Sequence, residues 1–257
     1  MQFESTAEHY DRFMGRYTTS LAAAMCDALD LQAGARVLDV GGGPGGLTVE
    51  LARRVGAANV AAVDPSPQFV EACRERVPGA DVREGEVEAL PWDDASFDAS
   101  LACLVIAFMS DPERGVSEMA RVGRPGGTVA ACMWDIEQGG MTMLSTFWKA
   151  IREVRPEAEN EMRRTGTSEG DIATRLADAG LRDVEDGSLT ARADYTGFDD
   201  FWEPFTHKVG PSGMALAALA PDDQETVRAA CREALPEGPF TLDARAWFAR
   251  GSVANGG

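Results

Sequence analysis

The run VLDVGGGPGG, from Val37 to Gly46, is the feature that most constrains how this chain can fold. An apolar segment carrying an acid, Asp39, leads straight into a turn rich in glycine, and a helix-forming stretch follows from Leu47 to Val55. Strand, glycine turn and helix in this order are typical of α/β proteins that seat a nucleotide-like ligand. Glycine suits such a turn because it accepts positive φ and lets a ligand approach the backbone closely.

The same run formally matches a dinucleotide-binding fingerprint. Gly41, Gly43 and Gly46 have the spacing G-x-G-x-x-G, and an acid, Asp64, follows at about the expected distance of ~20 residues. Taken alone, the run therefore fits a nicotinamide cofactor and S-adenosylmethionine equally. A glycine turn that holds no ligand is the remaining interpretation.

Composition narrows the classes of partner. The chain has 257 residues, 44% of them hydrophobic, and a formal net charge of −18. Because like charges repel, nucleic acid and anionic membranes are poor candidate partners, and a small molecule fits better. No apolar stretch approaches the ~18 residues of a membrane span, and the acidic first residues do not resemble a secretory signal.

The cysteines and histidines indicate a reducing compartment and no metal. Five cysteines at wide spacing, with no C-x-x-C pair, are typical of free thiols in the cytoplasm. Only two histidines are present, so no zinc-type cluster is expected. We therefore predict a cytoplasmic protein without a metal site.

Strand-like and helix-like segments alternate over the first 130 residues. Near-continuous apolar runs such as VAAV and ASLACLVIAF suit strands that are buried on both faces, which predicts a doubly wound, mostly parallel sheet. Later segments depart from this alternation. Residues 139–164 and a stretch after the aromatic segment FDDFWEPF favour helices, and the closing FTLDARAWFARGSV alternates like a strand.

Four motifs together resemble the class I S-adenosylmethionine-dependent methyltransferases, especially the small-molecule group that includes the ubiquinone/menaquinone C-methyltransferases. They are VLDVGGGPGG, VAAVDPSP, GEVEALPWDDASFD and EMARVGRPGG, and they cover residues 36–134 in order. The resemblance implies a seven-stranded Rossmann-like α/β sheet with an antiparallel last strand and a helical lid. It also implies a single domain over 1–257, with a cofactor core over 31–134 and lid elements over 1–30, 135–168 and 196–238.

The resemblance implies S-adenosylmethionine as cofactor and S-adenosylhomocysteine as product. Asp39 would order the glycine loop or bond the methionine amino group, and Asp64 would bind the ribose diol. Glu86 and Val87 stand where the family usually has Asp-Ala at the adenine, so glutamate is a departure from its pattern. The other predicted cofactor contacts are Tyr10, Arg16, Gly41, Gly42, Gly43, Gly45, Pro65, Ser66 and Cys103.

The sequence indicates less clearly where the methyl acceptor would bind. Aromatic residues outside the core can line an acceptor pocket or pack the lid onto the core; they are Trp134, Trp148, Trp202 and Phe205. His207 or His9 can serve as a general base if the acceptor is a hydroxyl, because histidine titrates near neutral pH. Each can equally be a hydrogen-bonded surface residue.

Three alternatives to methyl transfer to a small molecule stay open at this stage. A nicotinamide oxidoreductase shares the glycine fingerprint, although the chain has no Tyr-x-x-x-Lys pattern. A related domain can bind cofactor without transfer, and the same fold can use the sulfonium for another reaction, such as cyclisation. The acceptor, the atom that receives the methyl group and the oligomeric state are not specified by these motifs.

Overall fold

A seven-stranded sheet organises the chain, and the computed structural model describes residues 11–158, 165–208 and 210–254. The strand order is β3-β2-β1-β4-β5-β7-β6. Strands β1 to β5 are parallel, and β7 runs antiparallel between β5 and β6. The strands are β1 (Val37–Val40), β2 (Val60–Asp64), β3 (Asp81–Glu84), β4 (Phe97–Cys103), β5 (Gly123–Trp134), β6 (Arg182–Tyr195) and β7 (Phe240–Ser252). The predicted doubly wound sheet with an antiparallel last strand is confirmed.

Nine α-helices in the described residues connect and cover these strands. A π-helical turn, Asp11–Gly15, leads into the first of them, and short 3-10 turns occur between several others. The helices are α1 (Arg16–Asp27), α2 (Gly46–Val55), α3 (Pro67–Arg76), α4 (Pro112–Val122), α5 (Thr142–Val154), α6 (Asp171–Asp178), α7 (Phe198–Trp202), α8 (Gly210–Ala217) and α9 (Pro221–Glu233). Within these described ranges every helix is too short or too polar to cross a bilayer.

The strands have apolar side chains on both faces because helices cover both sides of the sheet. Val37 and Leu101 belong to the core that includes α1 and α2, whereas Leu38 and Ala102 belong to the opposite core with α4 and α6. Successive side chains of a strand point to opposite faces, so a strand buried on both faces is apolar at nearly every position. This is why the apolar runs predicted the parallel sheet.

Several predicted boundaries differ in detail. The predicted helix over 139–164 is shorter in the structure, where α5 covers only Thr142–Val154. Ser66 is the N-cap residue of α3, but its side chain makes no capping hydrogen bond. Asp64 Oδ1 instead accepts from the Ser66 N–H at 2.8 Å.

The segments that the sequence predicts as a lid pack against one another through aromatic rings. Phe147 of α5 stacks on Phe205 with centroids 4.3 Å apart and planes 3° apart. Phe13, before α1, meets the edge of Phe205 at 5.2 Å. Three sequence-distant segments therefore share one apolar core, which is also the core of one sheet face.

We expect Leu101→Ala to destabilise the protein by about 2–5 kcal/mol, because the side chain is fully buried in the centre of β4 and its loss leaves a cavity. Val49→Ala is the control. This aliphatic side chain on α2 is 47% exposed, and its truncation should change stability by no more than about 0.5 kcal/mol. Urea unfolding of both variants measures the difference, and equal costs would contradict the assigned core.

Candidate functional site

A cavity of about 280 Å³ opens at the carboxyl ends of β1 and β4. In open α/β sheets, ligands bind at this edge where the strand order reverses, and here the chain reverses between β1 and β4. The glycine turn after β1, the start of α1 and the end of β4 form the walls. The lining residues are Gly15, Arg16, Thr18, Thr19, Asp39, Gly41, Gly42, Gly43, Pro44, Gly46, Leu47, Arg76, Cys103 and Leu104.

The glycines of the turn serve two different purposes. A Cβ on Gly41 would lie 2.5 Å from Val105 Cγ2, so packing within the protein already requires glycine there. Gly43 has φ +54°, and a Cβ on it would meet no protein atom within 4 Å. Gly43 therefore marks the open side of the turn, where a ligand can approach the backbone.

The other glycines are also constrained by protein packing. A Cβ on Gly42 would lie 3.2 Å from Asp39 Oδ2, and one on Gly45 would lie 3.2 Å from Cys73 Sγ. Gly46, at the start of α2, lies against Thr18 of α1. Close packing of the neighbouring strand and helices around the turn therefore explains why glycine is needed at these positions even without a ligand. The predicted contacts of Gly42 and Gly45 with a cofactor stay predictions.

Asp39 forms the floor of the cavity. It is 1% exposed, and its Oδ2 accepts a hydrogen bond of 2.6 Å from Thr48 Oγ1. Burial raises the pKa of Asp39 to about 7, although the bond from Thr48 opposes that shift and the charge of Asp64 adds to it. A cationic group in the cavity would stabilise the ionised carboxylate.

Asp64, at the end of β2, is held in one orientation by the backbone. Its Oδ2 accepts from the Gly43 N–H at 2.9 Å, while its Oδ1 bonds Ser66. Burial raises its pKa, opposed by these two bonds and reinforced by the charge of Glu86. The carboxylate therefore joins the end of β2 to the glycine turn after β1.

The remaining predicted adenosine contacts follow the ends of β2 and β3. Pro65 is exposed and Ser66 is half-buried. Glu86 is exposed, whereas Val87 is 6% exposed and begins a 3-10 turn. Both segments lie at the same sheet edge as Asp64, and their roles towards a cofactor stay predictions.

Arg16 lines the cavity, but its guanidinium is bound to the lid. Nη2 pairs with Asp200 Oδ1 at 2.9 Å, and Cζ lies 4.3 Å from the ring centroid of Tyr195. Nε donates to Arg12 O at 2.8 Å. Arg16 therefore lies at the cavity while two of its nitrogens are already bonded, and its predicted cofactor contact stays a prediction.

Several lining residues were missed by the sequence analysis. Thr18 and Thr19 lie within one turn of Arg16, so the helical position of Arg16 was the signal that could have found them. Arg76 reaches the cavity from the end of α3. Leu104 follows β4 with φ +64°, which is rare for a side chain of this size and marks a strained position beside the cavity.

Cys103 lies in the wall, at the end of β4. Its Sγ is 3.6 Å from Cys132 Sγ on the neighbouring strand β5. This contact and burial raise the pKa of Cys103, so the thiol stays neutral. All five cysteines are free thiols.

The predicted acceptor-pocket aromatics are packed residues in this structure. Trp134 meets the ring of Tyr17 edge-on at 5.9 Å, and Trp202 and Phe205 belong to the same apolar core. Trp134, Trp202 and Phe205 are not among the described residues that line the cavity under Asp39. Trp148 lines a different cavity, which lies between the loop after β5 and helix α5. The observed contacts of Trp134, Trp202 and Phe205 are packing contacts, and the acceptor role of the four aromatics stays a prediction.

His207, one of the two predicted general bases, contacts a carboxylate near it in the chain. His207 Nε2 lies 2.5 Å from Glu203 Oε1, which also pairs with Arg12 at 3.2 Å. His207 does not appear in the described lining of the cavity. His9 and Tyr10 lie outside the described residues. Across 11–158, 165–208 and 210–254, no three His, Cys, Asp or Glu side chains group as a metal site requires.

Comparison with known families agrees with this location. Residues 38–131, which run from β1 into β5, match the family model described as a methyltransferase domain. The match contains the glycine turn, Asp39, Asp64 and the end of β4. The resemblance to methyltransferases is therefore confirmed for residues 38–131, which supply the glycine turn and the end of β4 to the cavity.

Individual relatives cover less of the chain. A 2-methyl-6-phytyl-1,4-hydroquinone methyltransferase of Oryza sativa is 41% identical over 100 residues, 38% of this chain and 28% of its own length. An uncharacterized methyltransferase of Mycobacterium bovis is 39% identical over 127 residues, 49% of each chain. This chain thus spans about half of the mycobacterial relative and less of the rice enzyme. A putative methyltransferase structure from Bacillus halodurans superposes with a TM-score of 0.60 at 15% identity, covering 91% of this chain and 99% of that one.

The raised pKa of Asp39 predicts a pH dependence of stability. Between its ordinary value of 3.8 and about 7 the folded protein holds a proton that the unfolded chain has lost. Stability should therefore fall as pH rises through this window and level off above it. The side chain of Asp39→Asn has no such proton to lose. The free energy of unfolding of the ligand-free variant, relative to the wild type, should therefore increase by at least about 1 kcal/mol between the lower and the upper end of this pH window.

Urea unfolding at a series of pH values measures this difference. Glu50→Gln is a control with the opposite sign, because hydrogen bonding to Arg53 lowers the pKa of Glu50 to about 2. The stabilisation from Glu50 is present above its ordinary pKa and is lost as pH falls. A wild-type advantage over Asp39→Asn that does not change with pH would refute the assignment for Asp39.

Proposed function

We propose that this chain, in which residues 38–131 match a methyltransferase domain, transfers a methyl group from S-adenosylmethionine to a small-molecule acceptor. The observation that carries the proposal is the cavity between β1 and β4. It combines a buried acid, Asp39, with the open backbone of Gly43 and an oriented carboxylate, Asp64.

The residues fit the cofactor chemically. The open side of Gly43 is a cradle that any Cβ would fill, and the buried Asp39 favours a cationic neighbour. Asp64 has about four lone-pair sites, of which the backbone uses two, so two remain for a ribose diol. We infer that Asp39 faces the methionine part and Asp64 the ribose, with Glu86 and Val87 near the adenine.

When bound, S-adenosylmethionine supplies a methyl group on a positively charged sulfur. The protein then has to hold the acceptor in line and exclude water, which is a large part of catalysis for an already activated donor. Cys103 and Leu104 close the wall at the end of β4, and the start of α1 closes the other side. We assign no general base, because His207 is bound to Glu203 in the lid.

A small-molecule acceptor is supported by charge and by relatives. The net charge of −18 disfavours nucleic acid, and the rice relative is named for a hydroquinone substrate. We further infer a cytoplasmic location, consistent with five free thiols. The nicotinamide alternative is not favoured, because the glycine fingerprint lies within a matched methyltransferase domain.

We expect S-adenosylhomocysteine to raise the thermal midpoint of the protein and NADH to leave it unchanged, because a ligand that binds only the folded state stabilises it. Incubation with methyl-labelled S-adenosylmethionine and a metabolite extract should then label a small molecule. Stabilisation by NADH alone would refute the cofactor. Stabilisation by S-adenosylhomocysteine with no labelled product would favour a domain that binds cofactor without transfer.

We expect Gly43→Val to weaken S-adenosylhomocysteine binding by at least about tenfold, since the side chain would occupy the open side of the turn. Gly34→Val is the matched control. Gly34 also has positive φ and no protein atom near its Cβ position, but it is exposed in the turn before β1 and does not line the cavity. Calorimetry compares the two variants. Equal affinity, or equal loss, in both would contradict the role of Gly43.

A further inference from the structure

A second cavity, of about 230 Å³, lies between the loop after β5 and one face of α5. Its described lining shares no residue with the cavity under Asp39. The volume is just below the usual range of about 300–1,000 Å³ for small-molecule sites, which suits a small ligand. Its floor is apolar and buried, and is formed by Ile136, Met141, Leu144 and Trp148.

Most polar side chains around this cavity already have partners. Asp135 is fully buried, and Arg245 binds its Oδ2 through both Nε, at 2.8 Å, and Nη2. Gln138 donates to Glu169 and accepts from Arg245, and Ser145 Oγ donates to a backbone carbonyl in its own helix. The negative charge of Asp135 is therefore compensated within the protein.

Two donors in the lining lack acceptors. Trp148 is 3% exposed, and its Nε1–H is buried without a partner in the described structure. Arg152 is half-buried, and no described residue forms an ion pair or hydrogen bond with its guanidinium. They are four residues apart on α5, so both lie on the same face of the helix. Buried donors normally have acceptors, so the Trp148 N–H invites an explanation, whereas the half-buried Arg152 is a charge without a partner among the described residues.

Shortage of acids does not explain the unpaired arginine. Acidic residues outnumber basic residues by 42 to 24 in this chain. Glu137 also lines the cavity, but it is exposed at the rim and does not pair with Arg152. A positive charge beside an apolar floor matches a ligand that is apolar at one end and anionic at the other.

We propose that this cavity binds a small apolar carboxylate, with the carboxylate at Arg152 and the apolar part against Trp148 and Leu144. Hydrogen bonds between guanidinium and carboxylate are charge-assisted and are stronger than neutral ones. The site lies after β5, outside the residues that match the methyltransferase domain. The proposal does not depend on methyl transfer.

The test uses 3-phenylpropionate and its neutral isostere 3-phenylpropanamide, each titrated into the full chain saturated with S-adenosylhomocysteine. We expect the acid to bind and the amide to bind at least about tenfold more weakly, because only the acid pairs with Arg152. Arg152→Met should weaken the acid by about tenfold and leave the amide unchanged. Trp148→Phe keeps a ring and removes the N–H, and should weaken the acid less.

Two further variants keep the result interpretable. Lys149→Met removes the same charge from an exposed position of α5 that does not line the cavity, and should not change the affinity. Arg152→Lys should recover part of the affinity that Arg152→Met loses, which separates charge from folding. The proposal is overturned if the acid does not bind, if acid and amide bind equally, or if Arg152→Met retains full affinity.

Discussion

The hydrogen bond from the Gly43 N–H to Asp64 is the interaction on which the site depends most. Asp64 ends β2, and Gly43 belongs to the turn after β1, so one carboxylate aligns the ends of two neighbouring strands. A second bond, from Ser66, fixes the other oxygen at the start of α3. Because two backbone donors orient this side chain, it does not need to reorganise when a ligand arrives. Oriented dipoles of this kind are what a preorganised site requires.

Burial of the two acids of the cavity lowers the stability of the fold. Asp39 and Asp64 are both buried, and burial raises the pKa of each because the charged form loses hydration. Thr48 donates to Asp39 from its side chain and its backbone, and no described basic side chain pairs with this acid. Function explains such a placement better than stability does, since perturbed acids concentrate at binding and catalytic sites. A ligand that carries positive charge would offset the cost that the empty fold bears.

Local patterns predicted the core, and long-range packing determined the rest. Strands such as Val60–Asp64 are buried on both faces, and their apolar runs therefore predicted a parallel sheet. The glycine turn could be predicted because few other kinds of backbone turn need so many residues without a side chain. Periodicity cannot state, however, that Arg16 pairs with Asp200, 184 positions away. It likewise could not distinguish a pocket from packing for Phe205, whose partners Phe13 and Phe147 come from two other segments.

Helix α1 connects the cavity to the lid. Its first turns form one wall of the cavity, while Arg16 binds Asp200 and Tyr17 hydrogen-bonds Tyr195 at 3.0 Å in the buried interior. Both partners belong to the β6–α7 region, which lies outside the matched methyltransferase domain. Arg16 thus lines the cavity while its guanidinium is held by Asp200. One helix therefore connects the wall of the cavity to contacts made by the second half of the chain.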